Sequence, residues 1–124
     1  MHTMRPLRGR MTDNYRRPDW GPLVAIAPRH VGDFMWMFEV ELENGVKLHA
    51  YKHWETRRYL HLDHGERAYV YIWDESRAGE DDDRYEQVDP GWLLALVLDG
   101  NRGSAFLRRA ELSEFNWILW ARSA

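Results

Sequence analysis

The sequence contains no cysteine. Disulfide bonds, thiolate metal sites and redox chemistry at sulfur are therefore excluded, and the absence is compatible with a cytoplasmic protein. No apolar run is long enough to span a bilayer, and no apolar segment follows the N-terminal arginines as a secretory signal requires. The sequence therefore predicts a soluble, cytoplasmic protein without a membrane segment.

A large excess of charge of one sign is also lacking. The chain has 17 basic and 20 acidic residues and a formal net charge of −3, which provides no general attraction to nucleic acid or membranes. The charge is uneven, because arginines dominate residues 1–17 and acids dominate residues 74–89. We interpret residues 1–18 as a basic, weakly structured arm and residues 19–124 as a single domain, which suits a chain of 124 residues.

Aromatic residues, in contrast, are abundant, and many lie in segments typical of β-strands. Residues 35–73 alternate between apolar and polar side chains over several stretches, which predicts an antiparallel meander. A three-residue turn at 43–45, with Gly45 in the left-handed conformation, would pair Val40 with Leu48 and Glu39 with His49. Further strands are predicted at roughly 57–63, 67–73 and 85–88.

Two helices are predicted, and start and stop signals mark where each begins and ends. The first is a short helix that is capped by Asp19, has Pro22 in its first turn and is stopped by Pro28. The second covers 89–99, with Asp89 as its N-cap and Gly100 after its end, and we expect its leucines 94 and 98 in the core. We interpret the tail, 110–124, as a helix, although residues 115–120 alone would also fit a strand. Trp117 and Trp120 on it would mark an oligomer or partner interface if exposed.

Together these elements predict an α+β fold, an antiparallel four- to five-stranded β-meander with helices packed on one face. The strand alternation would place the apolar residues under the helices and leave the other face open. The open face is predicted to carry Glu39, His49, Tyr51, His53, Arg57, Tyr59, His61 and Tyr69. Histidine, tyrosine and arginine stack, form hydrogen bonds and bind anions, although such a face can also be merely solvated.

This predicted face suggests a non-catalytic recognition module that binds a protein partner or a nucleotide-like ligand. Its modest charge disfavours long nucleic acid. The alternative is a metal-independent, ribonuclease-like enzyme in which Glu39 and His49 transfer protons and Arg57 holds a phosphate. No cofactor and no metal site are predicted, because His49 and His53 lie about 13 Å apart along a strand.

Overall fold

The computed structural model describes residues 6–73, 83–99 and 107–108. These residues form seven strands, two α-helices and a single 3₁₀ turn at Val31–Asp33. The strands are β1 (Leu7–Met11), β2 (Phe34–Leu42), β3 (Lys47–His53), β4 (Tyr59–Leu62), β5 (Ala68–Trp73), β6 (Asp83–Val88) and β7 (Leu107–Arg108). The helices are α1 (Gly21–Ile26) and α2 (Pro90–Leu98).

Strands β1 to β6 form a closed antiparallel barrel. Each strand pairs with the next one along the chain, and β1 also pairs with β6. The predicted open meander with helices packed on one face is therefore wrong. The difference arises in the predicted arm, where residues 7–11 are a strand whose two edges join β2 and β6. Its alternating arginines resemble a solvated segment in sequence, but they point away from the barrel interior.

The interior of the barrel is lined by one face of each strand, which we call the inner wall. Its apolar core draws on β1, β2, β3, β5 and β6, and the residues are Leu7, Phe38, Val40, Leu42, Leu48, Tyr69, Tyr71 and Tyr85. Gly9 and Ala50 lie on the same wall, where a small barrel leaves little room between opposite strands. The small residues Gly9 and Ala50 leave room for the larger inward side chains of their partners Leu42 and Phe38.

The opposite face, the outer wall, is also apolar on β3, β4 and β5. Leu60, Leu62, Val70 and Ile72 lie there and pack against Leu23 of α1 and against Leu93 and Val97 of α2. Asp89 accepts a hydrogen bond from the Trp92 N–H, which confirms the predicted N-cap of α2. The predicted core residues Leu94 and Leu98 are only half-buried, because Leu93 and Val97 face the barrel instead.

The predicted hairpin register is confirmed. Val40 pairs with Leu48 and Glu39 with His49, and Gly45 has φ +85°. The strands β4 and β5 have the opposite phase to the prediction, since His61 pairs with Ala50 on the inner wall. The physical reason is that both walls of the barrel are buried here, so alternation does not identify the face that meets the helices.

The C-terminal predictions lie mostly outside the described residues. Gly100, Trp117, Trp120 and the predicted tail helix belong to segments that are not described, whereas Leu107–Arg108 pairs in parallel with the end of β5. Within the described part of the chain, no helix has the length and apolar character needed to cross a membrane.

Gly9 provides a test of the closed barrel. A Cβ atom on Gly9 would lie 2.8 Å from Val40 Cγ1 and 2.9 Å from Tyr85 Cε2. We therefore expect Gly9→Ala to lower the free energy of unfolding by about 1–3 kcal/mol, measured by chemical denaturation. Gly32→Ala is the matched control, because a Cβ atom there has no neighbour within 4 Å. Equal stability of the two variants would contradict the closure.

Candidate functional site

The residues predicted to share one open face are divided between the two walls. Tyr59, His61 and Tyr69 are on the inner wall, and Glu39, His49, Tyr51 and His53 are on the outer wall. Arg57 lies in the turn between β3 and β4 with φ +65°. Burial is the second difference from the prediction, since His49, Tyr51, His53, His61 and Tyr69 are all buried. A single open face is therefore wrong, and any binding role of the individual residues stays a prediction.

His61 is enclosed by aromatic rings inside the barrel. Its ring lies 5.8 Å from that of Tyr59 and is stacked on it, and it is 5.2 Å from Tyr85 and 6.2 Å from Phe38. Burial lowers the pKa of His61 to about 4 because the charged imidazolium is poorly solvated there. This histidine is therefore a neutral packing residue of the inner wall at physiological pH.

A different group of polar side chains converges on the outer wall, at the side of the barrel where α1 begins. Asp19 precedes α1, Glu39 and His49 are cross-strand neighbours on β2 and β3, and His64 lies in the turn between β4 and β5. His64 Nε2 is 2.7 Å from Asp19 Oδ2. His49 Nε2 is 3.7 Å from both Asp19 Oδ2 and Glu39 Oε2. We call these residues the four-residue cluster.

Asp19 is held from two directions. Its Oδ1 accepts the Gly21 N–H at 3.0 Å, and its backbone carbonyl accepts the Tyr51 hydroxyl at 2.5 Å. Burial alone would raise the pKa of Asp19, but the hydrogen bonds from Gly21 and His64 outweigh this effect and lower the pKa below its usual value. Asp19 is therefore a carboxylate with a fixed position at neutral pH.

His49 is fixed by Trp36. The Trp36 indole Nε1–H donates to His49 Nδ1 at 3.0 Å. Because an indole can only donate, the neutral imidazole carries its proton on Nε2 and directs it toward the two carboxylates. A register shift at Met37 makes this contact possible, since it turns Trp36 from the wall of Phe38 to the outer wall.

The protonation of His49 is constrained by the same surroundings. Burial lowers the pKa of His49, and the nearby carboxylates of Asp19 and Glu39 compensate only in part. Protonation at Nδ1 would also oppose the indole N–H of Trp36. His49 is therefore a neutral imidazole whose Nε2–H faces the two carboxylates at 3.7 Å, which is longer than a hydrogen bond.

His64 is positioned by the aspartate before it. The Asp63 carboxylate accepts hydrogen bonds from the backbone N–H groups of Gly65 and Arg67, from Arg67 Nε and from the Tyr69 hydroxyl. Burial would raise the pKa of Asp63, but the donors of Arg67, Gly65 and Tyr69 lower it overall. This buried carboxylate fixes the β4–β5 turn, and with it the location of His64 beside Asp19.

The cluster has a buried base and an exposed rim. The side chains of His49 and Glu39 are 4% and 12% exposed, whereas those of Asp19 and His64 are 39% and 61% exposed. Thr12 fixes Glu39 by donating its hydroxyl hydrogen to Oε1 at 2.7 Å. The arrangement can accept hydrogen bonds through carboxylates, donate one through His49, and exchange protons with solvent through the Asp19–His64 pair.

Sequence reasoning anticipated only part of this cluster. The Glu39–His49 pair follows from the hairpin register and is confirmed. Asp19 is predicted only as a helix cap, and no sequence pattern connects it to His64, 45 positions away. Arg57 does not join the pair. It lies four residues beyond His53, the last residue of β3, whereas His49 is the third residue of that strand. Comparison with models of protein families, with curated proteins and with solved structures finds no match.

The buried His61 predicts a specific pH dependence of stability. An unfolded histidine titrates near its ordinary pKa of 6.5, whereas the folded pKa is about 4. The contribution is therefore complete above pH 6.5 and is lost as the pH falls toward 4, because the unfolded state takes up the proton first. We expect this loss to reach about 3 kcal/mol. It is measured as the difference in unfolding free energy between the wild type and His61→Phe across this range.

The control for this measurement is His30→Asn, which removes an exposed histidine that directly precedes the 3₁₀ turn at Val31–Asp33. That variant should keep the fall in stability that His61 causes. Parallel pH profiles for the wild type and His61→Phe would contradict the burial of a neutral His61.

Proposed function

We propose that the protein is a small, non-catalytic recognition module and that the four-residue cluster is its binding site. The observation that supports this most directly is the convergence of Asp19, Glu39, His49 and His64, which come from four separate segments, on one partly exposed spot. A polar base under an exposed rim suits the recognition of one protruding ligand group. The ligand belongs to a protein partner or is nucleotide-like.

The charges of the cluster favour a cationic or hydroxyl-bearing group. Asp19 is ionised, and the imidazole of His49 is neutral because of burial and the Trp36 bond. Carboxylate oxygens accept hydrogen bonds from ammonium, guanidinium and hydroxyl groups, but they repel phosphate. A lysine or arginine of a protein partner therefore fits this site well. A nucleotide-like ligand would present its sugar hydroxyls or base amino groups and keep its phosphate outside.

The proposal retains a cytoplasmic location, with which the lack of cysteine is compatible. An oligomer formed through Trp117 and Trp120 stays a sequence-based prediction, since both residues lie outside the described part.

Titration with short ligands, followed by NMR, tests the proposed site. We expect an octalysine peptide and adenosine to shift the resonances of His64, His49 and the Trp36 indole N–H, and AMP to bind more weakly than adenosine. Asp19→Asn should weaken the binding of octalysine at least fivefold, because one carboxylate charge next to the ligand is lost. The affinity should also fall as the salt concentration rises.

Asp33→Asn is the matched control. Asp33 also pairs with a histidine, since its Oδ2 lies 3.2 Å from His30 Nδ1, but this pair lacks the second histidine and the second carboxylate. Its removal should leave the affinity unchanged. The proposal fails if neither probe shifts any cluster resonance, or if Asp33→Asn and Asp19→Asn have equal effects.

A second candidate function is supported by the Asp19–His64 pair. A carboxylate that accepts the imidazole Nε2–H leaves Nδ1 available as a proton acceptor, and it stabilises the imidazolium that forms. This is the acid–base chemistry of a metal-independent enzyme, with His64 in the role that sequence analysis assigned to His49. The Glu39–His49 pair adds a second proton-transfer group, while Arg57 contributes no phosphate contact here.

Incubation with a short RNA in EDTA tests this alternative. Turnover that is abolished in His64→Gln and preserved in His30→Asn would support catalysis and replace the non-catalytic proposal. Intact RNA after prolonged incubation with a protein that still shows the NMR shifts described above would remove the ribonuclease-like alternative.

A further inference from the structure

We propose that Asp19, His49 and His64 form a site for a divalent transition-metal ion such as Zn²⁺, and that Trp36 competes with this ion for His49. The inference deepens the proposed function and rests on it, because it names one cation that the four-residue cluster takes. One carboxylate oxygen and two imidazole Nε2 atoms are the donor types that Zn²⁺ prefers. The solvent-facing side would remain open for a fourth ligand, such as a group on a partner.

The distances fit an ion with small movements. A carboxylate oxygen of Asp19 and one ring nitrogen of each histidine lie within 4.8 Å of one another. In a tetrahedral site with bonds of about 2.0–2.1 Å, neighbouring ligand atoms are about 3.3 Å apart. The observed separations from Asp19 Oδ2 are 2.7 Å to His64 and 3.7 Å to His49, so each changes by about half an ångström. The two imidazole nitrogens lie within 4.8 Å of each other and approach by up to about 1.5 Å.

The ligands are also held in place by other groups. Asp19 is fixed through the Gly21 N–H and the Tyr51 hydroxyl, and the turn that carries His64 is fixed by the buried Asp63. Such supporting contacts orient metal ligands and reduce the entropy lost on binding. Of the three ligands, His64 is the most exposed, so it can adjust its position as the ion enters.

Trp36 makes this site unusual. An ion on His49 Nε2 requires the imidazole proton on Nδ1, but the indole N–H of Trp36 donates to Nδ1 at 3.0 Å. The two arrangements need different tautomers of the same neutral ring, so the ion and Trp36 cannot both hold His49. No net proton is released by His49, because its proton moves from Nε2 to Nδ1. Metal binding must therefore displace the indole N–H, which weakens the affinity.

Titration of the full chain with Zn²⁺ and Co²⁺ tests the inference, using calorimetry and the visible absorption of tetrahedral Co²⁺. We expect one ion per chain and the loss of the hydrogen bond from the Trp36 indole N–H to His49, visible as a shift of the indole N–H resonance. His64→Ala and Asp19→Asn should each weaken binding at least tenfold. Trp36→Phe should tighten it roughly tenfold, because the competing donor is gone.

His30→Ala is the control, since it removes an exposed histidine paired with Asp33 and should leave the affinity unchanged. The inference is overturned if no ion binds at millimolar concentration, if His64→Ala binds like the wild type, or if Trp36→Phe binds no tighter. Should Trp36→Phe fail to fold, an unchanged Trp36 indole resonance in the metal-saturated wild type overturns it equally. Binding of octalysine in EDTA without any metal binding would refute the metal site alone, and loss of both would refute the proposed function too.

Discussion

The pairing of β1 with β6 is the contact on which the rest of the structure depends, because it converts a sheet with two edges into a barrel. Closure makes the inner wall a confined volume, where Gly9 must stay small because the side chains of Val40 and Tyr85 lie too close to the position of a Cβ atom. It also leaves the apolar outer wall of β3, β4 and β5 as a second surface to be covered, and α1 and α2 cover it. Because α1 packs on the outer wall, Asp19, which precedes this helix, lies beside His49.

Stability and the candidate site share several contacts as a result. The Tyr51 hydroxyl ties the start of α1 to the barrel through the Asp19 carbonyl, and the ring of Tyr51 belongs to the core between the barrel and the helices. Asp63 both anchors the β4–β5 turn and positions His64. A variant that disturbs either contact would therefore change folding and the site together, whereas substitution of the exposed His64 side chain changes the site with less effect on the barrel.

The accuracy of sequence reasoning varied with how many sides of each strand are buried. The hairpin of β2 and β3 was predicted correctly because Glu39, Glu41 and Lys47 are polar on one side, and Gly45 marks the turn. In β4 and β5 both faces carry large apolar or aromatic side chains. Alternation therefore assigned the two sets of residues to the wrong faces of the sheet. The strand β1 was missed because its arginines are typical of a solvated segment. The Asp19–His64 contact joins residues 45 positions apart, so it could not be inferred from local pattern.

The cluster combines a rigid base with an adaptable rim, and this difference determines how it can respond to a ligand. His49 and Glu39 are cross-strand neighbours on a closed barrel, so their backbone positions cannot change without disturbing several ladders. Asp19 and His64 lie on segments that lead into a helix and a turn, and their side chains are more exposed. The tautomer of His49, set by Trp36, is therefore a property of the base that can change without moving the backbone. A ligand that needs only hydrogen bonds leaves this tautomer as it is, whereas a ligand that needs the Nε2 lone pair must reverse it.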